Sequence, residues 1–108
     1  MNPGDLRHRI EIGRYIEGTN EWGDPELAYW GPYCQVWALV EGLKGSLYFE
    51  ALQTVERSDH KVVIRYRKGI EPGMVVRHDG RELIIQSALD EDGRRRWLTL
   101  ICREVEPA

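Results

Sequence analysis

Apolar and polar positions alternate along most of the chain, and the alternation predicts strands. Between Leu6 and Ile16, Leu6, His8, Ile10 and Ile12 fall on one face, and Arg7, Arg9 and Glu11 on the other. A period of two with β-branched residues marks a half-buried strand. His8 shares the phase of the apolar set, so it is expected to be a partly buried structural histidine. The run from His60 to Arg67 is the most strand-like, with Val62, Ile64 and Tyr66 facing one way and Lys61, Val63, Arg65 and Arg67 the other. From Tyr33 to Leu43, Val36, Ala38 and Val40 oppose Trp37 and Leu39. Both faces are apolar there, which predicts a central strand covered on both sides. Glu26 to Trp30, Met74 to Arg77 and Glu82 to Ala88 are shorter candidates. Arg95 to Glu104 is the last, with Trp97, Thr99 and Ile101 against Leu98, Leu100 and Cys102.

The breaks between these runs are turn chemistry. Glu17 to Pro25, EGTNEWGDP, reads as a polar loop. Its apolar residue, Trp22, either folds back onto the barrel wall or anchors a partner, because Trp is enriched at interface hot spots. Gly31-Pro32 interrupts the pattern next, and Gly42 and Gly45 end the central strand. KGIEPG, Lys68 to Gly73, and two Asp-Gly turns, at Asp79-Gly80 and Asp92-Gly93, separate the later strands. Arg65, Tyr66, Gly69, Pro72 and Gly73 are assigned to the fold. One stretch has a different period. Leu47, Ala51 and Val55 recur every four residues behind Ser46, a plausible N-cap. This is a helix of about two turns, too short to stand alone in water. Either a neighbouring subunit covers Leu47, Tyr48, Phe49 and Leu52, or the segment is a plain lid over one end of the fold. The sum is a mainly all-β domain spanning residues 1–108. It is a small antiparallel barrel or sandwich of about six to seven strands with one short helix.

Charge and cysteine content narrow the partners. A net charge of −3, from 15 basic and 18 acidic residues, argues against a sequence-independent nucleic-acid binder, whose affinity comes from cations neutralising phosphates. Cys34 and Cys102 lack metal-ligand spacing. They are expected to be buried free thiols, with a single bridge between strands as the alternative. The opening MNPGDLRHRIEI lacks a signal-peptide core, and no apolar run approaches the ~18 residues that span a bilayer. A reducing cytoplasm and no membrane association are therefore expected.

A catalytic constellation is not legible. His8, His60 and His78 sit on different elements without a close metal-type pair. Asp90-Glu91-Asp92-Gly93 lacks EF-hand spacing, and neither a nucleophile elbow nor a phosphate loop occurs. No enzyme activity, cofactor or metal is expected. Arg94-Arg95-Arg96 beside Trp97 reads first as a charge-balanced hairpin, with nucleic-acid contact as the alternative. Arg65, Arg67 and Lys68 form a second basic cluster. It could pair with the acidic loop Glu17 to Asp24, within one subunit or across to the next.

Nearly the whole chain resembles the tailed-phage head–tail joining proteins (head–tail adaptor, head closure or stopper), which also occur in prophages. The resemblance is carried by LRHRIEI with the EWGDP loop, VWALVEGLKGSLYFEALQ, HKVVIRYRKGIEPGMVVRHDGRELIIQS and the closing DEDGRRRWLTLICREV. Leu47-Tyr48 after Gly45-Ser46 departs from it, where a more polar entry is expected. The resemblance implies a non-enzymatic virion protein, a β-barrel subunit of a ring, commonly dodecameric, beneath the portal and connector. Such a ring joins head to tail, and DNA is held in its channel and passes without sequence-specific binding. The resemblance also implies that the connection from about Leu43 to Ser58 projects toward the channel or a neighbour. The competing reading is a nucleic-acid-binding small barrel of the OB type, for which only Arg94 to Trp97 offers a basic, aromatic surface.

Overall fold

The computed structural model describes residues 3–42 and 60–105. The expected short helix, with Leu47, Tyr48, Phe49 and Leu52, lies outside the described residues. After a 3-10 turn at Pro3–Asp5 come six strands: β1 (His8–Thr19), β2 (Pro25–Gly42), β3 (His60–Arg65), β4 (Val75–His78), β5 (Arg81–Leu89) and β6 (Trp97–Glu104). All pairings are antiparallel. The sheet closes in the order β1-β2-β3-β6-β5-β4, with β4 returning to β1 through Glu11–Arg77, Ile12–Val76 and Gly13–Val75. Closure satisfies strand edges that would otherwise be templates for aggregation.

The alternation read from the chain becomes the inside of this barrel. Ile10, Ile12, Ala38, Val62, Ile64 and Val76 point inward from β1 to β4, and Leu83, Ile85, Leu98, Leu100 and Cys102 from β5 and β6. Full burial of a side chain of this size is worth roughly 1.5–3 kcal/mol. The GIEPGM turn closes one end by inserting Ile70 and Met74 into the same cluster. It is tied down by Gly73 N–H to the Ile85 carbonyl (2.8 Å) and Ile85 N–H to the Met74 carbonyl (2.9 Å). Gly69, at φ +90°, is wedged against Tyr33, whose hydroxyl donates to the Lys68 carbonyl at 2.8 Å. At the other hairpin, Asp79 and Gly80 both take positive φ, 50° and 76°, as a type I′ turn requires.

Three expectations need correction. The two candidates Glu26 to Trp30 and Tyr33 to Leu43 are one strand, the 18-residue β2. Gly31-Pro32 does not break it because β3 joins β2 only from Ala38 onward. Proline is tolerated in a strand with a free edge. Nor is β2 covered on both sides. Trp37 points outward and stays 52% exposed, its ring overlaid by the Arg9 guanidinium, 5.5 Å from the centroid, in place of another layer. Burial on both faces belongs to β3 and β6, where outward Val63, Thr99 and Ile101 are buried as well as inward Val62, Ile64, Leu98 and Leu100. Lastly, His8 is exposed. The strand enters the barrel interior only at Ile10.

Candidate protein-interaction surface

Two strands outrun the barrel. β4 reaches β1 only over Glu11 to Gly13, and β3 reaches β2 only over Ala38 to Gly42. Beyond Gly13 and Pro32, β1 and β2 pair with each other alone, to Thr19 opposite Pro25. At ~3.3 Å per residue this two-stranded arm carries its tip roughly 20 Å past the barrel. The molecule is accordingly 49 Å long and 26 Å across.

An isolated two-stranded hairpin is marginal in water, and here the base of the arm is clamped. Gly13 is buried at the pivot, where a Cβ would strike the Gly31 carbonyl and the Trp30 ring. Tyr15 and Trp30 are cross-strand partners with ring centroids 5.3 Å apart at 66°. The guanidinium of Arg77, on β4, lies 3.8 Å from the Trp30 centroid and donates to the Tyr15 hydroxyl at 2.9 Å. That hydrogen bond holds Arg77 more firmly protonated than a free arginine. Trp30 Nε1 donates to Glu11 Oε1 at 2.5 Å, and the Tyr15 hydroxyl donates to Glu82. Arg77 also stands 3.9 Å from Glu11 and 3.6 Å from Glu82. The ion pairs are half-exposed and weak. The cation–π stack and the tryptophan hydrogen bond supply the direction.

The tip is built by Asn20. Its side-chain Oδ1 accepts from the N–H groups of Trp22 and Asp24, both at 2.9 Å, and its own N–H donates to the Asp24 carbonyl at 2.9 Å. Gly23, at φ +81°, completes the turn. The polar loop expected over Glu17 to Pro25 therefore shrinks to residues 20–24, because its flanks are paired strand. The turn presents Trp22 79% exposed, and Leu27 on the adjoining strand is 94% exposed. Of the two readings of Trp22, folding back on the barrel is not what the geometry does. Ile16 and Tyr29, opposite one another, are also exposed. Glu17, Glu21, Asp24 and Glu26, on the same segment, are exposed too. Among the described residues none of the four carboxylates forms an ion pair.

The barrel wall carries a second exposed feature. Arg9 pairs with Trp37 across β1 and β2, and Arg65 with Trp97 across β3 and β6. The register of Ala38 on Ile64 sets Trp37 beside Arg65. A row alternating Arg, Trp, Arg, Trp thus crosses four strands. Arg65 lies 5.6 Å from the Trp97 centroid, and Arg67, just beyond, 5.4 Å from that of Tyr33.

Other residues singled out from the sequence are placed as follows. Arg94 to Arg96 are bound to their own turn. The N–H of Arg94 donates to Asp92 (2.9 Å), that of Arg95 to Asp90 (3.0 Å), and the Arg96 guanidinium to Asp92 (3.2 Å). The backbone bond from Arg94, followed by Arg96, holds the Asp92 carboxyl below its ordinary pKa. This is the charge-balanced hairpin. Neither cysteine is in a disulfide; Cys102 is buried and Cys34 half-buried. Desolvation pushes the Cys34 thiol up, against the opposing pull of Arg67. The histidines are less scattered than their spacing suggests. β1 against β4 brings His8 Nδ1 within 3.2 Å of His78 Nε2. His60 lines an end cavity of about 210 Å³ with His78, Val40 and Arg81. Burial, then the charge of His8, lowers the His78 pKa. Among the described residues no three His, Cys, Asp or Glu side chains converge as metal ligands.

The exposed features are thus a two-stranded arm with an apolar tip and a wall of alternating guanidinium and aromatic groups. The chain belongs to the phage head completion protein family, whose family model matches residues 1–105, and it is a structural protein of the phage head. Solved structures similar to the chain include two of note. One is the solution structure of protein SF1141 from Shigella flexneri 2a, at 26% identity and a TM-score of 0.81, covering 100% of both chains. The other is a chain in the virion of a native gene transfer agent particle, at 18% identity and a TM-score of 0.64, covering 93% of this chain and 96% of that one. The second likeness is one of fold. No curated protein matches the chain.

Proposed function

We propose that the protein is a non-enzymatic joint of the head–tail connector, forming a ring between the portal or connector and the tail. The observation that carries this reading is the arm, which holds Trp22 and Leu27 in water on a rigid two-stranded mount. Exposed apolar groups rimmed by charge mark an interaction site. Copies of the chain, the connector and tail proteins are the partners. DNA passes the channel without sequence-specific contact, and the net charge of −3 favours sliding over gripping. Assembly takes place in the bacterial cytoplasm and the product resides in the virion. Trp22 is an anchor in this scheme. Leu47, Tyr48, Phe49 and Leu52 are proposed as a second contact.

The test is to mix the purified protein with its cognate connector and follow mass by analytical ultracentrifugation and electron microscopy. A stable complex bearing a ring of this subunit is expected. A protein that stays monomeric beside the connector and never binds it would overturn the reading.

A further inference from the structure

We propose that the arm tip of one copy docks on the Arg–Trp row of the next copy. The inference rests on the ring reading above and names the surfaces that would build it. Three observations lead to it.

The first is charge. Glu17, Glu21, Asp24 and Glu26 are exposed on the same tip segment as Trp22 and Leu27, with no ion pair among the described residues. Arg9, Arg65 and Arg67 are exposed on the wall, where their guanidinium groups lie over Trp37, Trp97 and Tyr33. An acidic knob with an apolar centre thus faces a basic strip with aromatic rungs. Carboxylates can approach the edges of guanidinium groups whose faces already stack on rings, so both contacts can coexist. The second is reach. The arm is an extended ladder held at its base by Tyr15, Trp30 and Arg77, and its tip stands roughly 20 Å from the barrel. The tip cannot fold back on its own row without breaking that ladder, so the complementary surface must be another molecule's. The third is geometry. Knob and strip are different patches, so the contact is head-to-tail. Contacts of this kind propagate, and close into a ring when the rotation per step allows it. Trp22 would be the hot spot, and the surrounding charges would set register and encounter rate.

Charge reversal tests it. Glu21→Lys with Asp24→Lys changes the knob, and Arg65→Glu with Arg67→Glu changes the strip. All four residues are exposed, and circular dichroism checks that each variant folds. Ring formation on the cognate connector is then measured for full-length wild type, each variant alone, and a chain carrying all four substitutions. Each one-sided variant is expected to assemble about tenfold or more weakly, and the four-fold chain to recover. Folded one-sided variants that assemble like wild type would overturn the docking and leave the ring reading standing. Wild type that forms no ring would overturn both. If Arg65→Glu with Arg67→Glu instead abolishes salt-dependent binding of single-stranded DNA and spares assembly, the row is a nucleic-acid surface and the docking is wrong.

Discussion

The barrel and the arm share two strands and treat apolar side chains in opposite ways. On β1, Ile10 and Ile12 are 1% and 0% exposed, whereas Ile16, a few residues on, is 37% exposed. On β2, Ala38 is buried, whereas Leu27 is fully in water. The strands run on through both parts with register shifts at Ile12/Gly13 and Ile16/Gly18, and apolar residues occur in both. What changes is the neighbourhood. Within the barrel each strand has two partners and an inner face shared by all six. Past Gly13 and Pro32 the ladder has only two strands and encloses nothing. Alternation therefore identifies a strand, while burial depends on what the strand is closed against.

The comparison can be broken most forcefully in the core. Leu100→Ala should lower unfolding free energy by about 3 kcal/mol, because the cavity it leaves is lined by a closed barrel. Leu27→Ala should change stability by less than about 0.5 kcal/mol and impair only assembly. Parallel urea titrations and connector-binding measurements would check both. Next in size is Gly69→Ala. A side chain at φ +90° and against Tyr33 should cost about 2 kcal/mol and loosen the turn that inserts Ile70 and Met74. Equilibrium denaturation again measures it. Arg77→Met should lower global stability only slightly, by less than Gly69→Ala. Its sharper signature is local: amides of Tyr15 and Trp30 should exchange faster with deuterium while those of Val62 and Leu100 stay protected.

The smallest effect is one of pH, at the barrel end away from the arm. His78 is harder to protonate in the fold than in the unfolded chain, through burial and then His8. Its contribution is intact above the unfolded pKa, ~6.5. As pH falls below that value the unfolded chain takes up the proton first, and stability declines until the folded pKa is passed. Melting temperature should therefore drop between pH 7.5 and 5.5 by more in wild type than in His78→Gln. Equal slopes would remove the histidine pair from the account.

Much of the barrel was legible because its periodicity is local. Val62 with Ile64, and Leu98 with Leu100, could be assigned to one face from spacing alone. The KGIEPG turn, Lys68 to Gly73, was legible as a turn, but its use with Met74 as a stopper for the barrel end was not, since Ile70 sits in a turn and Met74 reads as the start of the next strand. Trp22 could be named as a candidate anchor, because a large aromatic in a polar loop is conspicuous. The arm's length was hidden by Gly31-Pro32, which breaks a central strand and is harmless on a free edge. The His8–His78 contact was hidden for a related reason. It depends on β1 meeting β4 to close the barrel, a pairing set by the whole sheet. Trp37 looked like a core residue because a covering guanidinium leaves no trace in a hydrophobic pattern.

Gly42 and His60 face each other across the β2–β3 ladder, so the segment between them begins and ends at neighbouring points on one rim. The conformational entropy lost in closing such a segment grows only with the logarithm of its length, about 0.6 kcal/mol for each doubling. Insertions and deletions there can accumulate while the ladder beneath keeps its register. The barrel can therefore tolerate changes in the length of that stretch at little cost to its own stability.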